Sequence, residues 1–205
     1  MKNIFKKIML ISLLLIPVIA NAGNLSQTIH FVTEKGKAEV TPRLLYEAYL
    51  TASSHQQITG LPVKIQSSDH QMKPVASVGD LIDAFCFSEE MCGLKIKVLD
   101  LQKGATAHDP HTIVLSWWNF GWMEALDKND LINSQTGSAA SIVILTFKNT
   151  KSGAQIELTQ VNVPDYKVKI QSPDGSAEVG PLSHIVNTHW HTLYWDQYRR
   201  YLATL

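Results

Sequence analysis

The sequence predicts an α+β fold in which a curved antiparallel sheet wraps round one long C-terminal helix, with two short helices after the first strand. Three observations carry this. From Pro62 to Val163 the text is strand-like, broken by Gly, Asn, Asp and Ser turns whose mostly short spacings favour an antiparallel meander over parallel units with crossover helices. The stretch TPRLLYEAYLTASSHQQITG, residues 41–60, reads as two short helices. The chain closes on HWHTLYWDQYRRYLATL, an aromatic run with helical spacing. A one-sided sheet and an amphipathic helix bury their apolar faces most simply against each other.

The elements follow in order. Residues 1–22 place Lys2, Lys6 and Lys7 before an apolar run from Ile8 to Ile16 and end on Ala20-Asn21-Ala22, the pattern of a secretory signal peptide. That run is short of the roughly 20 apolar residues a membrane span needs, and no later stretch is apolar enough to span. Cleavage after Ala22 is expected, giving an exported domain over residues 23–205, periplasmic or secreted. The leader takes three of the eighteen basic residues and no acidic one, so fifteen remain against eighteen and the exported chain carries −3. This mild acidity, without Lys/Arg clusters, gives no reason to expect nucleic acid or an anionic membrane as partner.

LSQTIHFVTE reads as the first strand. In the first helix Thr41 is the N-cap, Pro42 sits at the first helical position, and Leu45, Tyr46, Tyr49 and Leu50 recur at helical spacing. The second helix closes on Gly60 as a C-cap. Strands are then expected over Pro62 to Gln66, Val78 to Phe87, Gly93 to Gln102, Thr112 to Trp118, Ala140 to Lys148 and Gln155 to Val163. Asp165 to Ser183 is a long connection rich in Gly, Pro and Ser, with one further short strand suggested in YKVKIQ. In the final helix Ile185, Trp190, Leu193, Tyr194, Gln197, Tyr201 and Leu202 form the expected apolar stripe.

Cys86 and Cys92 stand six apart around a turn. In an oxidising compartment they are expected to pair across a hairpin as a disulfide. The loop-entropy account gives so small a ring roughly 2 to 3 kcal/mol. Metal binding by the two thiolates is the weaker alternative, since no second Cys or His pair stands nearby at ligand spacing.

With these elements in place the sequence resembles the family of activator of Hsp90 ATPase homologues, the C-terminal-domain-like branch of the START/Bet v 1 (SRPBCC) superfamily with its helix-grip fold. Four places carry the resemblance: TPRLLYEAYLTASSHQQITG, VGDLIDAF, TIVLSWWNFGW, and ELTQVNVP followed by HWHTLYWDQYRRYL. It covers nearly the whole chain after the leader. There are departures: Asp80 stands where a second glycine usually follows Gly79, the 165–183 connection is longer than usual, and Asn187-Thr188-His189 replaces the glycine common before the aromatic. None of the four motifs is a catalytic signature.

The resemblance implies a cavity between sheet and helix for a small hydrophobic molecule. The strand positions expected to line it are Phe85, Ile96, Val98, Trp117, Ile142 and Ile144, with Tyr194 and Tyr201 closing from the helix. Of the tryptophans in SWWNFGW, Trp117 and Trp118 face opposite sides of a strand, and Trp122 follows beyond the turn. A protein-interaction role like that of the family's namesake is the second expectation. Export argues against the namesake's own cytosolic partner and leaves an envelope protein as the alternative.

Metal and catalytic constellations are weak. On an α-helix His189 and His191 point about 200° apart, and His184 and His191 lie about 10 Å apart along the axis, so neither pair chelates alone. His108-Asp109-Pro110-His111 has arbitrary ligand spacing. No metal and no cofactor are expected. There is no Gly-x-Ser-x-Gly, reactive Cys pair or phosphate loop, so an enzyme is not expected. The cyclase- or hydrolase-like alternative known elsewhere in the superfamily turns on whether Asp83 or a histidine faces the cavity.

Overall fold

The computed structural model describes residues 23–86, 92–119, 141–163, 167–171 and 177–205. Strand β1 (Gly23–Val32) leads into helix α1 (Pro42–Leu50), then α2 (Ala52–Thr59). Strands β2 (Lys64–Gln66), β3 (Leu81–Cys86), β4 (Cys92–Gln102), β5 (His111–Asn119), β6 (Ser141–Thr150) and β7 (Gly153–Val163) follow. A hairpin of β8 (Lys167–Gln171) and β9 (Ala177–Pro181) precedes α3 (Leu182–Ile185), a π-helical turn (Val186–His191) and α4 (Thr192–Leu202). Strands β1 to β7 form one sheet in the order β1-β7-β6-β5-β4-β3-β2, with every neighbouring pair antiparallel. The expected meander is therefore present, and the first strand returns to pair with the last.

Local chemistry accounts for the helices. Thr41 takes an extended conformation and its hydroxyl accepts from the Leu44 N–H at 3.2 Å, while Pro42 needs no donor at the first turn. The helix stops because Thr51 is also extended and bridges Val75, so that the next helix starts with the Ala52 N–H on the Pro74 carbonyl at 2.9 Å. Gly60 ends that helix in the left-handed region at φ 69, donating to the Gln56 carbonyl. Gly153 tightens the β6–β7 turn against β1. An added Cβ there would lie 2.4 Å from the Phe31 carbonyl oxygen, so no larger residue fits.

Sheet register puts the core on one face. Ile65, Ile82, Ile96, Trp117 and Ser141 stand in one cross-strand row, and Val98, Leu115, Val143 and Gln160 in the next. Ile113, Leu145 and Leu158 form a third row, and His111, Phe147, Ile156 and Ile29 a fourth. All of these are buried. Each fully buried Leu, Ile or Phe among them contributes roughly 1.5–3 kcal/mol.

The structure differs from the sequence reading in three respects. On β6 the inward residues are Ser141, Val143, Leu145 and Phe147, whereas Ile142 and Ile144 face the other side and Ile144 is 36 % exposed. The expected cavity positions on that strand are therefore one residue out of phase. IVILTF is apolar at four successive positions, so alternation cannot choose the face, and the pairing with β7 decides it.

The second difference lies in the C-terminal helix, where the buried residues run Val186, His191, Trp195, Tyr198, Leu202. The first step is five residues because the π turn reaches back five rather than four. A stripe extrapolated at α-helical spacing thus passes through Tyr194, Gln197 and Tyr201, which are only half-buried. Third, the suggested strand in YKVKIQ is present but pairs with a partner strand not expected, β9. Asp83, whose orientation the sequence left open, lies on the outer face, its carboxylate 2.7 Å from the Lys95 ammonium across the β3–β4 ladder.

Some expectations lie outside the described residues. The leader, Phe87 and Trp122 are among them, as are the side chains of Phe85, Trp118, Cys86, Cys92, His189 and Trp190. The backbone register does set Cys86 opposite Cys92 across β3 and β4.

Candidate functional site

The inner face of the sheet carries polar side chains at both ends: His111 stands in the row of Phe147, Ile156 and Ile29, and a larger cluster gathers where β5 leaves the sheet and β6 begins. There Trp117, Ser141 and Gln160 meet His191, the last residue of the π turn. Two backbone irregularities deliver these groups. The π turn rotates His191 onto the sheet-facing side. On β7 a bulge opposite Gly23 and Leu25, with Asn162 at φ 60, sets off the end of the strand just beyond Gln160. Asn accepts the left-handed region more readily than most residues. The widened turn exposes the Asn187 carbonyl, which accepts from the Gln27 Nε2 of β1 at 2.8 Å and from the Thr192 hydroxyl at 3.3 Å.

The hydrogen bonds at this end have only one consistent direction. The Trp117 backbone carbonyl can only accept, so the Ser141 hydroxyl donates its one proton there, at 2.9 Å. Ser141 Oγ then has only lone pairs for Gln160, whose Nε2 donates to it at 2.8 Å. Gln160 Oε1 must therefore face His191, and His191 Nε2 must carry the proton that bridges the 2.7 Å between them. The result is a neutral imidazole protonated on Nε2, with its lone pair on Nδ1. Burial agrees, pushing the His191 pKa down to about 3. The ring sits 5.1 Å from the Trp117 ring, tilted by 41°.

The rest of α4 is tied to the two N-terminal helices. The Tyr198 hydroxyl donates to the Leu45 carbonyl at 2.6 Å and its ring packs edge-on against Phe31. The Tyr194 hydroxyl lies 3.0 Å from His55 Nδ1, and the Tyr201 hydroxyl 3.1 Å from Ser54 Oγ. Burial lowers the His55 pKa to about 4 and raises those of Tyr194 and Tyr198 well above the ordinary value. Trp195 stacks beside Tyr49 with centroids 6.1 Å apart. Tyr194 and Tyr201, expected to close over a cavity, thus spend their hydroxyls on α2.

Of the other expected positions, Ile96, Val98 and Trp117 are buried on the inner face of the sheet. Sequence reasoning missed Ser141, Gln160, Trp195 and Tyr198, and weighed His191 only as a metal ligand. A signal for one of them was present: in Ala154, Ile156, Leu158 and Gln160 every second residue of β7 faces inward, which places Gln160 at the end of an apolar row.

The loop before β5 uses its metal-like residues for its own closure. Asp109 accepts from the Thr106 N–H at 2.6 Å, an exposed carboxylate that this hydrogen bond holds below its ordinary pKa. His111 Nδ1 accepts from the Gly104 N–H at 3.0 Å, and burial lowers its pKa. His108 is exposed, 3.9 Å from the Glu39 carboxylate. Among the described residues, no group of three His, Cys, Asp or Glu side chains is placed to hold a metal ion. Among them, too, no helix is long and apolar enough to cross a membrane.

No family model and no curated protein matches the chain. Solved structures do. A protein from Mesorhizobium loti matches at a TM-score of 0.50 and 14 % identity, over 89 % of this chain and 98 % of that one. One from Chromobacterium violaceum matches at 0.45 and 15 %, over 90 % and 95 %. An Hsp90 activator from Plasmodium falciparum matches at 0.40 and 16 %, over 71 % and 75 %. At these identities the likeness is one of fold, and the sheet order together with the C-terminal helix is consistent with the helix grip.

Proposed function

We propose that the chain is an exported helix-grip protein that takes a small hydrophobic molecule between its sheet and its C-terminal helix. The supporting observation is the contrast along the inner face. At the β5 exit Ser141, Gln160 and His191 join in one hydrogen-bonded row beside Trp117, whereas Ile113, Leu145 and Leu158 in the middle of the sheet pack as an apolar row. An apolar concave surface with a few convergent polar groups is the usual form of a small-molecule site. This reading assigns no catalytic step. Asp83 is paired with Lys95 on the outer face, and no carboxylate or nucleophile is hydrogen-bonded to His191 among the described residues. No cofactor is part of it.

Native mass spectrometry of the protein purified gently from the envelope fraction tests it. A stoichiometric apolar adduct, released on denaturation, is the expected result. Protein that stays bare through a screen of lipids and aromatic compounds would sink the reading. Export is tested separately by fractionation and N-terminal sequencing, with Gly23 expected as the first residue. The Cys86–Cys92 bridge belongs to the same proposal, and the opposed backbone positions support it. Two titratable thiols in the native protein would remove it.

A protein partner in the envelope is the second reading, favoured by the outer face. Ile144 stands beside Val114, and Ile142 beside Val161, so half-exposed apolar side chains adjoin there. A pull-down from envelope extracts separates the two readings: a stoichiometric protein captured by the wild type and lost on Ile144→Glu favours this one.

A further inference from the structure

The polar end of the sheet carries a directed chain of hydrogen bonds. Its hydrogen bonds start from a backbone carbonyl, which cannot reverse, and run through Ser141 and Gln160 to His191. Three groups are thus used to fix one tautomer of one imidazole. A purely structural buried histidine needs only one partner for each nitrogen. Here Gln160 consumes Nε2, no donor reaches Nδ1 among the described residues, and the imidazole ring lies 5.1 Å from the Trp117 ring.

We infer that His191 is a ligand-recognition residue whose Nδ1 accepts a hydrogen bond from a neutral hydroxyl on an otherwise apolar molecule, with Trp117 packing against the apolar part. This rests on the small-molecule reading above and narrows it to apolar alcohols and phenols. Charge sets the class. The groups joined in this chain are a carbonyl, a hydroxyl, an amide and an imidazole, none of them ionised. An anionic head would face a lone pair and the aromatic ring without a cation to balance it, and would carry an uncompensated desolvation cost. A hydrocarbon with no hydroxyl would offer Nδ1 no donor.

The test uses three probes of one shape: naphthalene, 2-naphthol and 2-naphthoate, bound to the mature protein at neutral pH and measured by equilibrium dialysis. We expect 2-naphthol to bind about five- to tenfold tighter than naphthalene, the range a single buried hydrogen bond supplies, and 2-naphthoate to bind weakest. In His191→Leu the naphthol preference is expected to vanish while naphthalene still binds. Equal binding of naphthol and naphthalene to the wild type would overturn the inference and leave the small-molecule reading standing. Tighter naphthoate binding would overturn it as well. Failure of all three probes to bind would sink the reading and the inference together.

Because His191→Leu strands the Gln160 carbonyl and risks unfolding, nitrogen NMR of the histidine-labelled wild type gives a mutation-free check. His191 is expected as the Nε2–H tautomer, with its Nδ1 resonance moving on addition of 2-naphthol and not of naphthalene. An Nδ1–H tautomer, or no movement with 2-naphthol, rejects the assignment.

Discussion

The two ends of the space between helix and sheet solve the same burial problem in opposite ways. At the closed end Phe31, Phe147, Ile156 and Tyr198 meet with at most 2 % exposure, and the Tyr198 hydroxyl is satisfied locally by the Leu45 carbonyl. At the β5 exit the sheet offers Ser141 and Gln160 in place of aliphatic residues, and the helix answers with His191. The backbone differs in parallel. Regular antiparallel pairing joins β1, β7 and β6 at the closed end, whereas the bulge near Asn162 and the π turn both lie at the other. Irregular backbone costs stability and persists where it re-aims a side chain. Packing thus holds the fold at one end, and at the other the backbone is bent to present a polar group.

The strongest way to break this contrast is to empty the closed end. Phe147→Ala removes a fully buried ring that packs edge-on against Tyr46, and is expected to cost about 3–5 kcal/mol. Urea denaturation measures it. A loss below about 1.5 kcal/mol would mean that the closed end relaxes and is not the rigid half of the molecule.

Acid titrates the contrast next. His55 and His191 are neutral when folded, with pKa values lowered to about 4 and about 3, against 6.5 when free. Below 6.5 the unfolded chain therefore binds protons that the folded chain refuses, so stability is full above that pH and falls as the pH drops towards 4 and then 3. The pair is expected to remove roughly 2 kcal/mol between pH 6 and pH 5. Thermal melts across that interval measure it, and His55→Gln is expected to flatten about half of the slope. A slope unchanged in His55→Gln would contradict its burial as a neutral group.

Gln160→Leu is the sharper probe of the polar end. It leaves the His191 Nε2–H without its acceptor and is expected to cost about 1 to 2 kcal/mol. The double change Gln160→Leu with His191→Phe removes donor and acceptor together and is expected to recover part of that loss, because an apolar pair leaves nothing unsatisfied. Additive losses in urea midpoints would show that the two side chains do not act as a unit.

How much of this was legible in the sequence follows the same division. The α1 cap at Thr41, the Pro42 start, the Gly60 stop and the strand order of turns are local chemistry, and a residue string states local chemistry directly. The inner face of β7 was legible too, since Gln155, Glu157 and Thr159 alternate with buried residues. On β6, Ile142, Val143, Ile144 and Leu145 carry no alternation, and only pairing with neighbours selects the face. His191 was hidden by the π turn: six residues with a longer hydrogen-bond reach shift everything after Val186 by one position, and composition gives no sign of it. The helix side of the candidate site was therefore unreadable for the reason that makes it a candidate, the departure of its backbone from regular periods.

The smallest expected effect tests whether the outer face matters to the grip at all. Asp83 and Lys95 are cross-strand neighbours on β3 and β4, with their charges 2.7 Å apart and the lysine side chain 40 % exposed. Solvent screens such a pair, so Lys95→Ala is expected to change stability by no more than about 0.5 kcal/mol. It is also expected to leave 2-naphthol binding unchanged, because Lys95 and the inward Ile96 point to opposite faces of β4. A stability loss above about 1.5 kcal/mol would give the carboxylate a structural role that its position does not account for. Lost probe binding with unchanged stability would place part of the site on the outer face, beside Ile142 and Ile144, and would shift the weight of evidence from a small molecule in the grip to a partner on the sheet.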